Sequence, residues 1–248
     1  MNFVFRVDSS LKIGSGHLIR CLTLAKYLKK KGHICKFICR DHRGNLIEKI
    51  KKENFEVNIL HYPEGTEERL STNKKHSIHT SWLGASWYQD AEQTINALNK
   101  NKIDWLIIDH YGIDIKWEQK LRLYARKIMV IDDLADRDHD CDLLLDQNLI
   151  SNFKIRYENL LPNYCRNLLG PSYALLQPEY EILRKKAHSR TGPVKNILVY
   201  FGDGDQYNLT ESVLSAFIKL NREDINLDVV ISSKNIKKEH FYKLAKKN

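Results

Sequence analysis

The sequence predicts an α/β protein built on a mostly parallel sheet with helices on both faces. Short apolar runs rich in Val, Ile and Phe alternate with longer amphipathic stretches along most of the 248 residues. This alternation is typical of consecutive strand–helix–strand units. The same pattern restarts near Val194, which indicates a second, smaller α/β domain.

The predicted elements of the first domain follow one another in chain order. The predicted strands are NFVFRV, ICKFIC, FEVNIL, WLIID, IMVIDD and DLLLD. The predicted helices are GHLIRCLTLAKYLKKKG, LIEKIKKEN, SWYQDAEQTINALNKNK and IKWEQKLRLYARK. The first helix carries apolar residues on one face, and Gly32 is a suitable stop for it. Residues 63–80 are polar and predict a surface loop, and we assign residues 1–150 to this domain.

The remainder of the chain divides into a connecting segment and a partial domain. Residues 151–193 lack strand alternation and are rich in proline, so we predict a connecting segment there. Residues 194–248 contain NILVYFGDGD, NLTESVLSAFIKL and LDVVISS, which predict a strand with a glycine turn, a helix and a strand. Two strands are too few for an independent doubly wound sheet, so we expect an incomplete domain or one that leans on the first.

The amino-acid composition indicates which kinds of partner and which cellular compartment to expect. The formal net charge is +9, but the lysines lie in scattered short runs and no nucleic-acid-binding motif is present. A small anionic ligand explains the charge more simply, and we expect no nucleic-acid partner. The five cysteines form no CxxC pair, and neither a leader peptide nor an apolar run long enough to cross a bilayer is found. We therefore expect a cytoplasmic protein with reduced thiols and no membrane contact.

The stretch KIGSGHLIR, residues 12–20, predicts an anion site. A strand, a glycine-rich turn and a helix N-terminus in that order present free backbone N–H groups and partial positive charge. Gly14 and Gly16 allow a tight turn and close approach of a ligand. The spacing is GxGH and not the GxGxxG of dinucleotide-binding proteins, which disfavours a nicotinamide cofactor. From spacing alone, His17 can either cap the turn or act on the bound ligand.

Six segments in order resemble a known family. They are RVDSSLKIGSGHLIRCLTLAKYL, SWLGASWYQDA, IIDHYGID, VIDDLADRDHDCDLLLDQN, LLGPSYALLQPEY and ILVYFGDGDQYNLT. Together they resemble the UDP-2,4-diacetamido-2,4,6-trideoxy-β-L-altropyranose hydrolases, the nucleotide-sugar hydrolases of pseudaminic acid biosynthesis. The resemblance implies two Rossmann-like domains facing across a cleft (GT-B-like), as in MurG-type glycosyltransferases, the second incomplete in this chain. It also implies a UDP-sugar and water as reactants and no cofactor. We expect a monomer.

The resemblance assigns His17 as the base that activates water for inverting attack at the anomeric carbon. An imidazole can accept a proton at neutral pH, which suits that role. Tyr111 follows an apolar strand, where open α/β sheets gather ligands, and we predict it as a second catalytic residue. The predicted substrate contacts are Asp8, Gly14, Ser15, Gly16, Arg20, Asp109, His110, Asp133, Arg137, Gln147, Asn148, Gly202, Gly204, Asp205 and Asn208.

Two features leave alternatives open. The acidic stretch DDLADRDHDCD invites a metal site, but it lacks EF-hand spacing and we predict no metal there. The second glycine turn reads FGDGD where the family has FGGxD, and a carboxylate at Asp203 would repel a diphosphate unless it points away. A glycosyltransferase of the same fold, or a nucleotide-sugar binding protein without activity, is therefore the alternative to a hydrolase.

Overall fold

The computed structural model describes residues 1–63, 79–153, 155–189, 191–202, 205, 207–232, 235 and 237–247. The chain divides into two compact units, Met1–Pro178 and Glu179–Asn248. Most of the loop predicted over residues 63–80 lies outside the described residues, as do Asp203 and Gly204 of the second glycine turn.

The first unit is a seven-stranded sheet in the order β3-β2-β1-β4-β5-β6-β7, with every neighbouring pair parallel. The strands are β1 Asn2–Val7, β2 Ile34–Arg40, β3 Glu56–Leu60, β4 Ile103–Asp109, β5 Ala125–Ile131, β6 Leu143–Asp146 and β7 Arg166–Leu169. The helices are α1 Gly16–Lys30, α2 Ile47–Lys52, α3 Trp87–Ala97 and α4 Ile115–Leu121. The predicted α/β class with a parallel sheet is confirmed.

Two hydrophobic clusters cover the two faces of this sheet. One contains Phe5 of β1 with the apolar side chains of α1 and α2. The other contains Val4 of β1 with side chains of α3 and α4, including the fully buried Trp117. Adjacent residues of β1 enter opposite clusters because successive side chains of a strand point to opposite faces. Helices therefore pack on both faces, as the alternating pattern predicts.

Two boundaries differ from the sequence expectation. The helix predicted over residues 115–127 ends at Leu121, because Ala125 already pairs with Ile103 in the sheet. Arg166–Leu169, which the sequence placed in a connecting segment, forms the edge strand β7. That strand has four residues and is partly exposed, so it carries neither a continuous apolar run nor a clear alternation.

The second unit has a two-stranded parallel sheet of β8 Asn196–Val199 and β9 Asn226–Val229. Its helices are α5 Pro178–Lys186, whose first residue ends the first unit, α6 Leu209–Leu220 and α7 Lys238–Lys247. The predicted strand–turn–helix–strand order after Val194 matches β8, α6 and β9.

Candidate active site

The site lies where the sheet reverses its strand order. From β1 the chain continues to β2 and β3 on one side, whereas β4 to β7 extend on the other. Ligands of open α/β sheets bind at the carboxyl ends of the strands at such a switch point. Asp109 is the last residue of β4, and His17 is the second residue of α1, the helix that follows β1. The fold thus brings these two side chains together.

His17 and Asp109 form a hydrogen-bonded pair. Nδ1 of His17 lies 2.5 Å from Oδ1 of Asp109, whose side chain is fully buried. Burial opposes ionisation of the Asp109 carboxyl, but His17 and Arg20 outweigh it and hold its pKa well below the ordinary value. An ionised carboxylate can only accept, so Nδ1 of His17 carries the proton and donates it. Nε2 of His17 is then the lone-pair nitrogen, and no hydrogen bond among the described residues engages it.

Arg20 fixes the Asp109 carboxylate from its other side. It donates from Nε to Oδ2 at 2.6 Å and from a terminal nitrogen to Oδ1 at 2.7 Å, a bidentate geometry that is strong and directional. Its other terminal nitrogen lies 3.2 Å from Asp133. From the sequence, Arg20 could either reach a phosphate or pair with Asp8. In the structure Arg20 pairs with Asp109 and Asp133 instead.

The hydroxyl of Tyr111 donates to Asp133. Burial and this hydrogen bond raise the pKa of Tyr111, so the phenol stays protonated. Its ring packs edge-on against the His17 ring, with centroids 4.5 Å apart and an angle of 79°. Tyr111 therefore contacts both Asp133 and His17. That it also acts on the substrate stays a prediction.

Two aromatic residues that the sequence did not single out complete this cluster. Trp82 stacks on Tyr111 at 5.6 Å and meets the His17 ring edge-on at 6.4 Å. His79 packs edge-on against Trp82 at 4.6 Å. The motif SWLGASWYQDA contains Trp82, but nothing in a tryptophan that precedes a helix indicates which ring it will meet. Only the tertiary fold brings these rings beside His17.

The glycine turn before α1 leaves the helix N-terminus open. Gly14 has a φ of +82°, a conformation that favours glycine, and its N–H donates to the Ser10 carbonyl at 2.9 Å. The side chain of Ser15, the N-cap residue, makes no capping hydrogen bond, and no acidic residue lies in the first turn. A Cβ added at Gly16 would meet nothing within 4 Å. The first turn of α1 thus has no side-chain cap, and anion binding at its N-terminus stays a prediction.

Asp8 and His110 lie beside the site but face a buried cluster. Asp8 accepts from Arg6 at 2.7 Å and from the Arg40 backbone at 2.6 Å. Its second oxygen is 3.3 Å from Nε2 of His110 and 3.4 Å from Nε2 of His42, without hydrogen-bond geometry. Asp8 and His110 are 1% and 3% exposed, so the structure places these two predicted substrate contacts in the protein interior.

The acidic stretch after β5 is occupied by ion pairs within the protein. The ion pairs are Asp132 with Arg137, and Asp140 and Asp142 with Arg122, while Nδ1 of His139 lies 2.7 Å from the Glu118 carboxylate. Across the described residues no group of three or more acidic, histidine or cysteine side chains is arranged to hold a metal ion. Arg137 also donates to the Ile113 carbonyl at 2.7 Å. Arg137, which the sequence predicts as a substrate contact, therefore joins the stretch after β5 to the backbone at Ile113.

The other predicted contacts make hydrogen bonds within their own units. Gln147 accepts from the Leu175 backbone at 3.1 Å, and the Asn148 backbone donates to Asp146 at 3.0 Å. In the second unit, Asp205 accepts from the backbone N–H groups of Leu209 and Thr210, at 2.8 and 3.1 Å.

The α6 N-terminus therefore differs from that of α1. Because the carboxylate of Asp205 already occupies the first amides of α6, a diphosphate bound there would have to displace it. The side chain of Asn208 donates to Glu211 instead of capping the helix. Gly202, Asp205 and Asn208 stay predicted UDP contacts. A diphosphate bound there would compete with the Asp205 carboxylate for the first backbone N–H groups of α6.

Comparison with known proteins decides the family. The chain is 30% identical over 246 residues to the UDP-2,4-diacetamido-2,4,6-trideoxy-β-L-altropyranose hydrolase of Campylobacter jejuni, covering 98% of this chain and 75% of that protein. The chain belongs to this hydrolase family. The membership confirms the resemblance found in the sequence motifs.

Two further proteins are similar to this chain, one in sequence and one in fold. An uncharacterized protein of Methanocaldococcus jannaschii is 26% identical over 239 residues, which cover 94% of this chain and 43% of that protein. The crystal structure of MurG from Acinetobacter baumannii matches with a TM-score of 0.51 at 13% identity, over 98% of this chain and 63% of that chain. At that identity the match shows the fold alone, and it agrees with the predicted GT-B-like class.

No model of a known protein family matches the chain. Among the helices that the structure describes, none is long and apolar enough to cross a membrane.

Proposed function

We propose that this member of the hydrolase family releases UDP from a UDP-linked 2,4-diacetamido-2,4,6-trideoxy hexose of the L-altropyranose type. The reaction is attack of water on the anomeric carbon, a step of pseudaminic acid biosynthesis. Family membership supports the substrate class. The observation that carries the chemistry is the 2.5 Å contact between Nδ1 of His17 and the buried carboxylate of Asp109.

His17 acts as the general base. Its Nδ1–H is held by Asp109, so Nε2 presents a lone pair that removes a proton from the attacking water. The imidazolium that forms lies beside an ionised carboxylate, which stabilises it as the reaction proceeds. Arg20 keeps that carboxylate in place through its two hydrogen bonds. The water oxygen bonds to the anomeric carbon while the bond from that carbon to the UDP oxygen breaks.

The open N-terminus of α1 stabilises the departing UDP. Negative charge builds on the diphosphate as the glycosidic bond breaks, and unpaired amides with a helix dipole stabilise such charge. Because His17 belongs to the first turn of the same helix, the base and the anion site are held in a fixed relation. Gly16 leaves the space in which a ligand can approach the backbone.

The test is UDP release by the purified chain from the UDP-sugar without any acceptor. UDP formed in water alone supports the hydrolase. UDP formed only when an acceptor sugar or lipid is added indicates a glycosyltransferase, and binding without release indicates a non-catalytic protein. Repeating the reaction in ¹⁸O-labelled water locates the broken bond. The label appears in the sugar if water attacks the anomeric carbon, whereas label in UDP would contradict the proposed step.

A further inference from the structure

Two cysteine thiols meet at the amino ends of β6 and β7, the edge of the sheet opposite the His17 site. Sγ of Cys141 and Sγ of Cys165 lie 3.5 Å apart. Cys141 precedes β6 by two residues and Cys165 directly precedes β7, and these strands pair with Leu143 opposite Arg166. Both cysteines therefore lie directly beside paired strands, and they are 24 positions apart in the sequence.

These two thiols differ from the other three. Cys21, Cys35 and Cys39 are buried, and their hydrogen bonds, where present, go to other groups: Cys21 faces Asp109 and Cys35 faces the carbonyl of Ala25. Cys165 is partly exposed, while Cys141 behind it is fully buried. A reagent in solution can therefore reach Cys165 first, and only Cys141 lies close enough to react with it next.

We propose that Cys141 and Cys165 form a redox-active dithiol site, which small disulfides such as oxidised glutathione convert into an intramolecular disulfide. Neither thiol takes part in the proposed hydrolase reaction. The site is distinguished from an ordinary buried cysteine pair by the asymmetric exposure of its two sulfurs.

The exchange proceeds in two balanced steps. The Cys165 thiol loses its proton and attacks one sulfur of the glutathione disulfide, and the first glutathione leaves as a thiol with that proton. Cys141 then loses its proton and attacks Sγ of Cys165, which releases the second glutathione thiol. Two cysteine thiols are oxidised by two electrons and one glutathione disulfide is reduced. The hydrogen bond from Cys141 lowers the pKa of Cys165 and so favours this order of attack.

The crosslink would close a segment that supports the candidate active site. Arg156, within that segment, donates to the Asp133 carbonyl at 2.6 Å, and the Tyr157 hydroxyl donates to the Asp132 carbonyl at 2.9 Å. Tying the two ends of the segment together restricts the unfolded chain, so we expect the oxidised protein to melt at a higher temperature than the reduced protein.

The first experiment counts thiols in the full chain. The protein is reduced, desalted, incubated with oxidised glutathione, denatured and alkylated with N-ethylmaleimide, and its mass is measured. We expect five alkylations before oxidation, one for each cysteine, and two fewer after it. Peptide mapping should then show Cys141 joined to Cys165. Five alkylations after oxidation, or a different cysteine pair, would overturn the proposal.

Single variants test the order of events. Cys141→Ser should stop at a stable glutathione adduct on Cys165, about 305 Da heavier, because the resolving thiol is absent. Cys165→Ser should take up no glutathione under the same conditions. Cys39→Ser, a buried cysteine on β2, is the matched control and should still lose two thiols. An adduct on Cys141 in Cys165→Ser would contradict the proposed order, and the map of the unmodified sequence decides the pairing even if a variant does not fold.

Discussion

Nδ1 of His17 lies 2.5 Å from Oδ1 of Asp109, although 92 positions of sequence separate the two residues. The contact joins the helix after β1 to the end of β4, across the point where the strand order reverses. It fixes the orientation of the histidine that we propose as the base. The sequence predicts both residues for the site, but as a base and a substrate contact and not as partners.

Asp109→Asn tests the orienting carboxylate. The amide cannot stabilise an imidazolium and leaves Arg20 with one ionised partner instead of two, so we expect kcat to fall at least about 100-fold. Stability should also fall by about 3 kcal/mol, because a buried ion pair loses one member. Steady-state kinetics below the melting temperature separate the two effects. Asp104→Asn, on the same strand, is the control, and wild-type turnover by a folded Asp109→Asn would exclude the orienting role.

Tyr111→Phe tests whether the phenol takes part in the reaction. The hydroxyl of Tyr111 already donates a hydrogen bond to Asp133, and a phenylalanine ring would keep the contact with His17. We expect kcat/KM to fall less than about tenfold, the loss of one hydrogen bond to a charged group. If turnover instead drops by about two orders of magnitude or more while circular dichroism shows an intact fold, Tyr111 is a catalytic residue.

Gly16→Ala tests the anion site without disturbing the protein. Nothing lies within 4 Å of the new methyl group, and alanine favours a helix over glycine, so the thermal midpoint should stay or rise. If the diphosphate approaches this backbone, the methyl group excludes it and KM for the UDP-sugar should rise about tenfold or more. Gly14→Ala offers the contrast, because its φ of +82° makes alanine costly to the fold itself. An unchanged KM in Gly16→Ala would show that the diphosphate does not bind at this backbone.

The buried His110 predicts a pH dependence of stability. Burial lowers its pKa below the ordinary value, while Asp8 opposes that shift. Below about pH 6.5 the unfolded chain therefore binds a proton that the folded protein does not. Stability should fall as the pH is lowered from 7 to 5, by at most about 1.4 kcal/mol per pH unit from this one group.

The measurement is urea unfolding at several pH values. His110→Gln should show a shallower dependence than the wild type between pH 7 and 5. His188→Gln, at an exposed position, should leave the slope unchanged. An equal slope in His110→Gln and the wild type would remove His110 as the source.

Local patterns predict much of the fold. NFVFRV coincides with β1, Asn2–Val7, because an apolar run between turn residues is enough to define a buried parallel strand. The edge strand β7 was missed because four partly exposed residues leave no such pattern. Strands with a clear apolar pattern, including the other edge strand β3, could thus be predicted from the sequence, whereas the short, partly exposed β7 and the end of α4 could not.

The site was predicted as a set of residues and not as a set of contacts. Motifs placed His17, Arg20 and Tyr111 near one sheet edge, but pairing across strands depends on register that the motifs do not encode. Asp8 is the clearest case. It follows β1 beside the glycine turn, yet Arg6 of the same strand draws it into the interior at 2.7 Å. The further contact of Asp8 with the backbone of Arg40, on the neighbouring strand β2, appears only once the sheet is formed.

The most direct test of the base is His17→Asn, assayed for both binding and turnover of the UDP-sugar. Asparagine keeps a polar side chain of similar reach but cannot accept a proton from water at neutral pH. The account predicts that kcat falls by about 10²- to 10⁴-fold, while the affinity measured by calorimetry stays close to that of the wild type. His33→Asn, three residues beyond the C-terminal end of α1, should be indistinguishable from the wild type in both measurements. Wild-type turnover by a folded His17→Asn would contradict the account.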